Sequence, residues 1–238
     1  MSGLDEGRAT EVLAQGDLEI HGRIPDSSNT TLLVTARLGA DELLAVYKPE
    51  RGERALWDFP PGLWRREIAA FELDRLLGTS CVPLTVARDD TDYGPGSVQQ
   101  WVHEEGIEHY LTLRDDPELA DWFRALAALD VVANNTDRKS GHVLLEDGRC
   151  WAIDNGLCFH VDDKLRTVIW EFALDPIDPG ILERLDAVAH GDVVVLRGLL
   201  APEEVAATQR RAASLCAAGT LPEPVARGNY PPWPWPIV

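Results

Sequence analysis

Residues 134–156 read NNTDRKSGHVLLEDGRCWAIDNG and decide the fold. The polar run at the start of this stretch contains Asp137, and the run at its end contains Asp154. Between them, HVLLE and RCWAID are strand-like, and Asp147-Gly148 is a favoured two-residue hairpin turn. Strands that flank such a turn pair about 5 Å apart, so the hairpin brings its two polar ends together. We therefore expect both carboxylates in one site.

Two carboxylates in this arrangement suit phosphoryl transfer. The reaction needs one carboxylate to accept or orient the proton of the substrate hydroxyl and another to hold Mg²⁺ at the nucleotide phosphates. Asp137 suits the first role and Asp154 the second. His142 follows Asp137 by five residues, the interval at which kinase catalytic loops place a metal-ligating side chain. Imidazole is a weak ligand for Mg²⁺, so either His142 coordinates through one nitrogen, or Asn135 or Asn155 supplies an oxygen, or the site takes Mn²⁺.

The same aspartates have a plainer interpretation. Most aspartates in loops only cap turns or end strands, and each of these two would do so if taken alone. Their order on one hairpin favours chemistry instead.

Lysine is rare in this chain, since only three of the 22 basic side chains are lysine. A compact point charge in a confined site favours lysine over arginine. Lys48 ends a predicted strand in AVYKP, and Glu67 lies on the predicted helix that follows, in WRREIAAFEL. A strand lysine that reaches the nucleotide phosphates, held by a helix carboxylate, is the kinase arrangement. The alternative is a solvated strand-end lysine, with Glu67 or Glu72 facing water.

The remaining pattern predicts an α+β protein of two lobes, residues 1–102 and 103–238. After a short polar start, an antiparallel meander opens the first lobe, which also contains one helix; the second lobe is mostly helical. The predicted strands are 17–23, 31–38, 42–48, 82–88 and 97–102, and the predicted helices are 63–77, one from about 117, 179–189 and 202–217. The Pro- and Trp-rich residues 222–238 are expected to form a tail packed against the body.

Two further stretches are candidate binding segments. The turn PDSSNT, with Ser27, Ser28 and Asn29, would cover phosphates with backbone N–H groups, although it has no glycine-rich pattern.

The second stretch, CFHVDDKLRTVIWEF, offers His160, Lys164 and Arg166 to an anionic substrate group. The alternative is a surface patch neutralised by Asp162 and Asp163.

Composition excludes several classes of function. A net charge of −18 on 238 residues opposes binding to nucleic acid or to an anionic membrane. No apolar run approaches a membrane span, and MSGLDEGRATEV lacks the features of a signal peptide, so we expect a cytoplasmic protein without membrane docking. Four widely spaced cysteines indicate neither disulfides nor zinc. We expect a monomer.

With these residues assembled, the chain resembles the phosphatidylinositol 3-/4-kinase-like superfamily, and within it small actinobacterial phosphatidylinositol kinase-like proteins, over roughly residues 17–172. NNTDRKSGHVLL is similar to the D-R-H-x-x-N catalytic loop of that family, and AIDNG to its D-F-G metal motif. HipA-like kinases carry a similar N-T-D-R-H. The resemblance implies a two-lobed protein-kinase-like fold that uses ATP and Mg²⁺ or Mn²⁺.

The resemblance also implies roles for individual residues. Asp137 becomes the catalytic acid/base and Asp154 the magnesium ligand, while Lys48 binds phosphate with Glu67 as its partner. The chain departs from the family pattern at three positions: Lys139 stands in the catalytic loop where the family has His, His142 replaces the metal-binding Asn, and Asn155 replaces Phe.

By order along the chain, Gln100, Trp101 and Val102 correspond to the adenine-binding hinge between the lobes.

These features predict an ATP-dependent kinase that phosphorylates a hydroxyl of a soluble acceptor, either a polyol such as an inositol phosphate or a protein Ser/Thr. The three departures leave open a nucleotide-binding pseudokinase or scaffold without turnover. A metal-dependent hydrolase built on His142, Asp137 and Asp154 is a third possibility, but that set of residues has the wrong neighbours for a hydrolase.

Overall fold

An antiparallel sheet occupies the first part of the chain. The structure, a computed structural model, describes residues 3–25, 27, 29–103, 106–226 and 231–237. The strands of this sheet are β1 (Asp17–Arg23), β2 (Leu32–Leu38), β3 (Asp41–Pro49), β4 (Thr85–Arg88) and β5 (Gly96–Gln100). They lie in the order β1, β2, β3, β5, β4, with every neighbouring pair antiparallel. The central strand is therefore β3, which carries Lys48.

Alternation along β3 orients its side chains. Leu43, Ala45 and Tyr47 are buried in the core, as expected for every second residue of a strand with one apolar face. Lys48 follows Tyr47 and therefore points to the opposite face of the sheet.

Helix α1 (Glu6–Gln15) precedes the sheet, so the prediction of a short polar start is wrong. Asp5 caps this helix by accepting a hydrogen bond from the Arg8 N–H at 2.8 Å. Ala9, Val12 and Leu13 form a narrow buried stripe against the sheet. The rest of the helix surface is mostly polar, so the sequence alone does not reveal the apolar stripe.

Helix α2 (Leu63–Leu77) has the predicted bounds, and a glycine in the left-handed conformation flanks each end, Gly62 at φ 93° and Gly78 at φ 65°. The Glu53 carboxylate accepts hydrogen bonds from the backbone N–H groups of Gly62 and Trp64, both at 2.8 Å. A residue from the preceding loop thus caps the helix that carries Glu67.

The second part of the chain is mainly helical. Its elements are α3 (Tyr110–Leu113), α4 (Ala120–Ala133), the hairpin β6 (Val143–Glu146) and β7 (Arg149–Ala152), α5 (Pro179–His190), α6 (Val194–Arg197) and α7 (Pro202–Ala218). Helix α4 begins three residues after Pro117, because residues 117–119 form a turn. The predicted α+β class, with an antiparallel sheet and helix followed by a mostly helical part with a hairpin, is confirmed by this arrangement of elements.

Two predicted strands were too long. Strand β4 begins at Thr85 rather than at residue 82, because Pro83 has no N–H to contribute to a ladder. Strand β5 ends at Gln100, which leaves Trp101 and Val102 beyond the sheet.

Residues 231–237 of the tail contact the body, as predicted for the part of the tail that the structure describes. The Pro232 carbonyl accepts hydrogen bonds from the Thr167 N–H and the Trp170 indole, both at 3.1 Å. The Ile237 carbonyl accepts one from the Ser140 N–H at 2.8 Å. The tail therefore supports the loop that contains Asp137.

Among the helices of the described residues, none combines the length and the apolar character required to cross a bilayer.

Candidate active site

The ammonium group of Lys48 joins the sheet, helix α2 and the far end of the hairpin. Its Nζ lies 2.5 Å from Oε1 of Glu67 and 2.9 Å from Oδ1 of Asp154. Burial lowers the pKa of Lys48, but attraction to the two carboxylates outweighs burial and raises this pKa above its ordinary value. The lysine is therefore held as a cation between two anions.

Glu67 is shared between Lys48 and the chain after Asp154. While its Oε1 accepts from Lys48, its Oε2 accepts the N–H of Asn155 at 2.9 Å. A Cβ on Gly156 would stand 3.2 Å from the Glu67 carboxylate, so glycine gives this carboxylate room to approach the backbone. Helix α2 and the polar end of the hairpin are thus fixed to each other.

Asp154 presents its carboxylate outward, with 53% of the side chain exposed. Its backbone is left-handed (φ 58°), a conformation that aspartate tolerates better than most residues and that is common at functional sites. Attraction to Lys48, assisted by His142, holds the pKa of Asp154 well below its ordinary value. Asp154 is therefore ionised near neutral pH, and a carboxyl group binds metal ions in this form.

Asp137 lies on the loop between α4 and the 3₁₀ turn Ser140–His142. The Lys139 ammonium is 3.0 Å from its Oδ2. Burial raises the pKa of Asp137 above its ordinary value, while the charge of Lys139 opposes the rise. Asp154 raises this pKa further, so the two carboxylates are close enough to interact. A carboxylate with a raised pKa is suited to accept a proton.

A buried ion pair supports this loop. Arg138 is fully buried, and its guanidinium donates to Asp130 at 3.0 to 3.2 Å. Asp130, on α4, also accepts from the Asn135 side chain at 3.0 Å. Sequence reasoning missed Asp130, although a lone carboxylate inside the apolar run ALAALDVVAN is the signal that a buried cation lies nearby.

The same guanidinium reaches across to the hairpin. Arg138 donates to the Ile153 carbonyl at 2.7 Å and to Oδ1 of Asn155 at 2.5 Å. Oδ1 of Asn135 accepts the Asp137 N–H at 3.0 Å. Both asparagines are buried and their oxygens are already hydrogen-bonded, so they fix the loop rather than face a metal ion.

His142 lies next to Asp154, with 3.4 Å between Nε2 and Oδ2. Burial lowers the pKa of His142 to about 4, so the ring is neutral near pH 7. The Lys139 N–H faces Nδ1 at 3.4 Å, which assigns the single ring proton to Nε2. In this tautomer the Nε2–H lies next to the Asp154 carboxylate, and Nε2 offers no lone pair. Its role as a metal ligand stays a prediction.

Backbone hydrogen bonds hold two of the three predicted hinge residues. The Gln100 N–H donates to the Leu84 carbonyl at 2.8 Å, and the Trp101 N–H donates to Leu44 at 3.0 Å. Adenine binding by these three residues stays a prediction.

The β1–β2 loop is tied to the segment after β3. Ser27 donates its hydroxyl to the Ile24 carbonyl at 2.9 Å, and Asn29 accepts the Arg54 N–H at 2.8 Å. Ser28 lies outside the described residues. The side chains of Ser27 and Asn29 thus serve the loop itself, and any phosphate contact would fall to its backbone.

The predicted substrate residues form two small groups. Lys164 Nζ lies 2.9 Å from Asp58 and 3.1 Å from Nε2 of His160. The Arg166 N–H donates to the Asn135 carbonyl at 2.9 Å, so Arg166 lies beside the loop that contains Asp137. Lys164 is paired with Asp58, which weakens its attraction for an anionic substrate.

Chemically, the site combines a lysine ammonium held by Glu67, an ionised exposed carboxylate and a carboxylate of raised pKa. In the described part of the chain, no group of three or more His, Cys, Asp or Glu side chains is arranged to hold a metal ion.

The chain was compared with protein-family models and with solved structures. No protein-family model matches it, so the resemblance to the phosphatidylinositol kinase-like superfamily stays a prediction. Among solved structures, it is similar to the proinflammatory kinase CtkA of Helicobacter pylori, with a TM-score of 0.48, 9% identity and coverage of 88% of this chain and 94% of that one. A similarity this low assigns no function.

The sequence is 38% identical to the protein Rv2133c of Mycobacterium tuberculosis (strain ATCC 25618 / H37Rv), and the match covers 94% of each chain. At that identity and coverage, this chain and Rv2133c belong to one protein family.

Proposed function

We propose that the protein is an ATP-dependent phosphotransferase that moves the γ-phosphoryl group to a hydroxyl of a soluble acceptor. The observation that carries the proposal is the contact of one ammonium group, Lys48 Nζ, with both Glu67 and Asp154. A strand lysine fixed by a helix carboxylate next to an ionised aspartate is the set of groups that phosphoryl transfer from a nucleotide requires.

Asp137 is the proposed general base. In the reaction, the bond between the γ-phosphorus and the β–γ bridging oxygen of ATP breaks as a bond from the γ-phosphorus to the acceptor oxygen forms. The hydroxyl proton passes to Asp137, and ADP leaves. The raised pKa of Asp137 makes it a better proton acceptor than an ordinary aspartate, and the nearby charge of Lys139 opposes that rise and favours the ionised form.

Asp154 is the proposed holder of the metal ion. Mg²⁺ is usually bound through one or two carboxylates together with substrate phosphates, and the exposed, ionised Asp154 fits that need. When bound, Mg²⁺ would neutralise charge that develops on the phosphates. His142 would then position Asp154 through the Nε2–H, rather than bind the metal.

A second candidate function is a nucleotide-binding scaffold without turnover. The observation that favours it is the neutral His142 at the position where kinases place a metal-binding asparagine. In such a protein Lys48 would bind nucleotide, but the metal shell would be incomplete.

Two measurements on the same preparation separate these functions. Calorimetric titration with ATP and Mg²⁺ reports nucleotide binding, and transfer of labelled γ-phosphate to a panel of polyols, inositol phosphates and Ser/Thr peptides reports catalysis. The phosphotransferase predicts both, with Mg²⁺ or Mn²⁺ required for transfer. Binding without transfer to any acceptor or to water supports the scaffold, and no binding of ATP contradicts both functions.

A further inference from the structure

A cavity of about 190 Å³ lies beside the proposed catalytic loop. Its polar and aromatic lining comes from two segments of the chain, one after β3 and one after β7: Trp57, Asp58, Asp162, Asp163, Lys164 and Arg166. The volume is smaller than the roughly 300–1,000 Å³ of typical pockets for drug-sized ligands. It therefore suits a single small ring rather than a peptide or a large ligand.

Hydrogen bonds fix this cavity against the loop that contains Asp137. The Lys164 N–H donates to the side chain of Asn134 at 2.8 Å. The Arg138 N–H, directly after Asp137, donates to the Arg166 carbonyl at 3.1 Å. The cavity lining thus lies along the loop on both sides of Asp137, where a phosphotransferase would bind the hydroxyl of its acceptor.

Carboxylates outnumber cations in the lining of the cavity. Lys164 pairs with Asp58 at 2.9 Å, and Arg211, from α7, pairs with Asp163 at 2.9 Å. Asp162 keeps 80% of its side chain exposed. The lining has three carboxylates and two cations, whereas phosphate recognition relies on clustered cations that are not already neutralised. A phosphorylated acceptor is therefore disfavoured.

Trp57 provides a flat apolar surface at the cavity. The residue is 87% exposed, and the Lys164 ammonium lies 5.4 Å from the centroid of the indole ring. An indole next to carboxylates and an ammonium can pack against the C–H face of a ring while the polar groups bond to its hydroxyls.

We propose that this cavity binds the acceptor, and that the acceptor is an uncharged, polyhydroxylated ring of monosaccharide or cyclitol size. The ring packs on Trp57, and its hydroxyls donate to Asp58 or Asp162 and accept from Lys164. The inference rests on the proposed function and narrows its acceptor, since it disfavours inositol phosphates and protein Ser/Thr.

Calorimetric titration of the full chain tests this acceptor class without requiring turnover. The probes are myo-inositol and glucose, their monophosphates, glucosamine and a serine-containing peptide, each with and without a non-hydrolysable ATP analogue and Mg²⁺. We expect saturable binding of at least one uncharged ring and weaker binding of its phosphorylated form.

Two variants test whether the uncharged ring binds in this cavity. Trp57→Ala is expected to weaken the binding of the uncharged ring by about tenfold. Tyr93→Ala, which removes another exposed aromatic side chain on the turn between β4 and β5, should leave it unchanged.

Several outcomes overturn the inference: no saturable binding of any uncharged ring, tighter binding of a monophosphate, glucosamine or the peptide, or equal binding by wild type and Trp57→Ala. If ATP binds and is turned over while the uncharged rings do not bind, this inference fails and the proposed function stands. If ATP does not bind, the proposed function itself fails.

Discussion

The ammonium of Lys48 lies 2.9 Å from the carboxylate of Asp154, although 106 residues separate them in sequence. Strand β3 presents the lysine, and the far end of the β6–β7 hairpin presents the aspartate. Glu67 completes the contact, because it accepts from Lys48 and from the N–H of the residue after Asp154. Three distant parts of the sequence therefore meet at one cation.

The first prediction concerns Glu67. Glu67→Gln removes the charge that fixes Lys48 but keeps an oxygen for the Asn155 N–H. A hydrogen bond to a charged group contributes about 1.5–3 kcal/mol, so we expect kcat/KM for ATP to fall by about 10- to 100-fold. Steady-state kinetics measure the effect. The control is Glu72→Gln on the same helix, which should change kcat/KM by less than about twofold; equal losses in the two variants would exclude a special role for Glu67.

A second prediction uses the pH dependence of turnover. Asp137 must be ionised to accept a proton, and burial raises its pKa, so activity falls as the pH drops through this raised value. Lys139 lowers the pKa of Asp137. Lys139→Met therefore raises it further and moves the acidic limb of the kcat profile to higher pH.

The matched control is Lys139→Arg, which keeps the positive charge and should leave the acidic limb near its wild-type position. An acidic limb that stays in place, or moves to lower pH, in Lys139→Met would show that Asp137 does not control it.

The third prediction concerns the stability of the loop. Asp130→Ala leaves the guanidinium of Arg138 buried without its carboxylate, which costs about 3–5 kcal/mol of the free energy of unfolding. Urea unfolding measures the loss. Asp121→Ala, at a fully exposed position on the same helix, should leave the free energy of unfolding nearly unchanged.

Adding Arg138→Met to Asp130→Ala should recover part of the lost stability, because the second change removes the unpaired charge. A loss below about 1 kcal/mol in Asp130→Ala would mean that the ion pair does not support the loop.

A fourth prediction separates two roles of His142. If His142 positions Asp154 and does not bind metal, His142→Ala should lower turnover with Mg²⁺ and with Mn²⁺ by the same factor, about tenfold. Imidazole suits Mn²⁺ better than Mg²⁺, so a selective loss of the Mn²⁺-supported activity would identify His142 as a ligand.

Local signals in the sequence predicted the hairpin and helix α2 well. The Asp147-Gly148 turn fixes the hairpin register, and the two left-handed glycines at the ends of α2 set its bounds. The juxtaposition of Lys48, Glu67 and Asp154 was also predicted, because a strand lysine, a helix acid and a hairpin aspartate have a known spatial relation in kinases.

Features that depend on tertiary contacts could not be predicted in this way. Helix α1 has a narrow apolar stripe that is recognisable only once the sheet it covers is known. The lone carboxylate of Asp130 signals a buried cation, but nothing in the sequence identifies Arg138 as that cation. The sequence likewise gives no sign that Lys164 contacts Asp58. The side-chain oxygens of Asn135 and Asn155 accept hydrogen bonds around the same buried ion pair, so these contacts could not be predicted either.

The most direct test of the central claim measures γ-phosphate transfer from ATP by wild type, Asp137→Asn and Asp154→Ala. Asp147→Asn, at the opposite end of the same hairpin and at a left-handed position that asparagine tolerates, is the control. The account predicts metal-dependent transfer by wild type and the control, and a loss of about 100-fold or more in each of the other two variants. Equal transfer by all four proteins, or none by wild type across the acceptor panel, would contradict it.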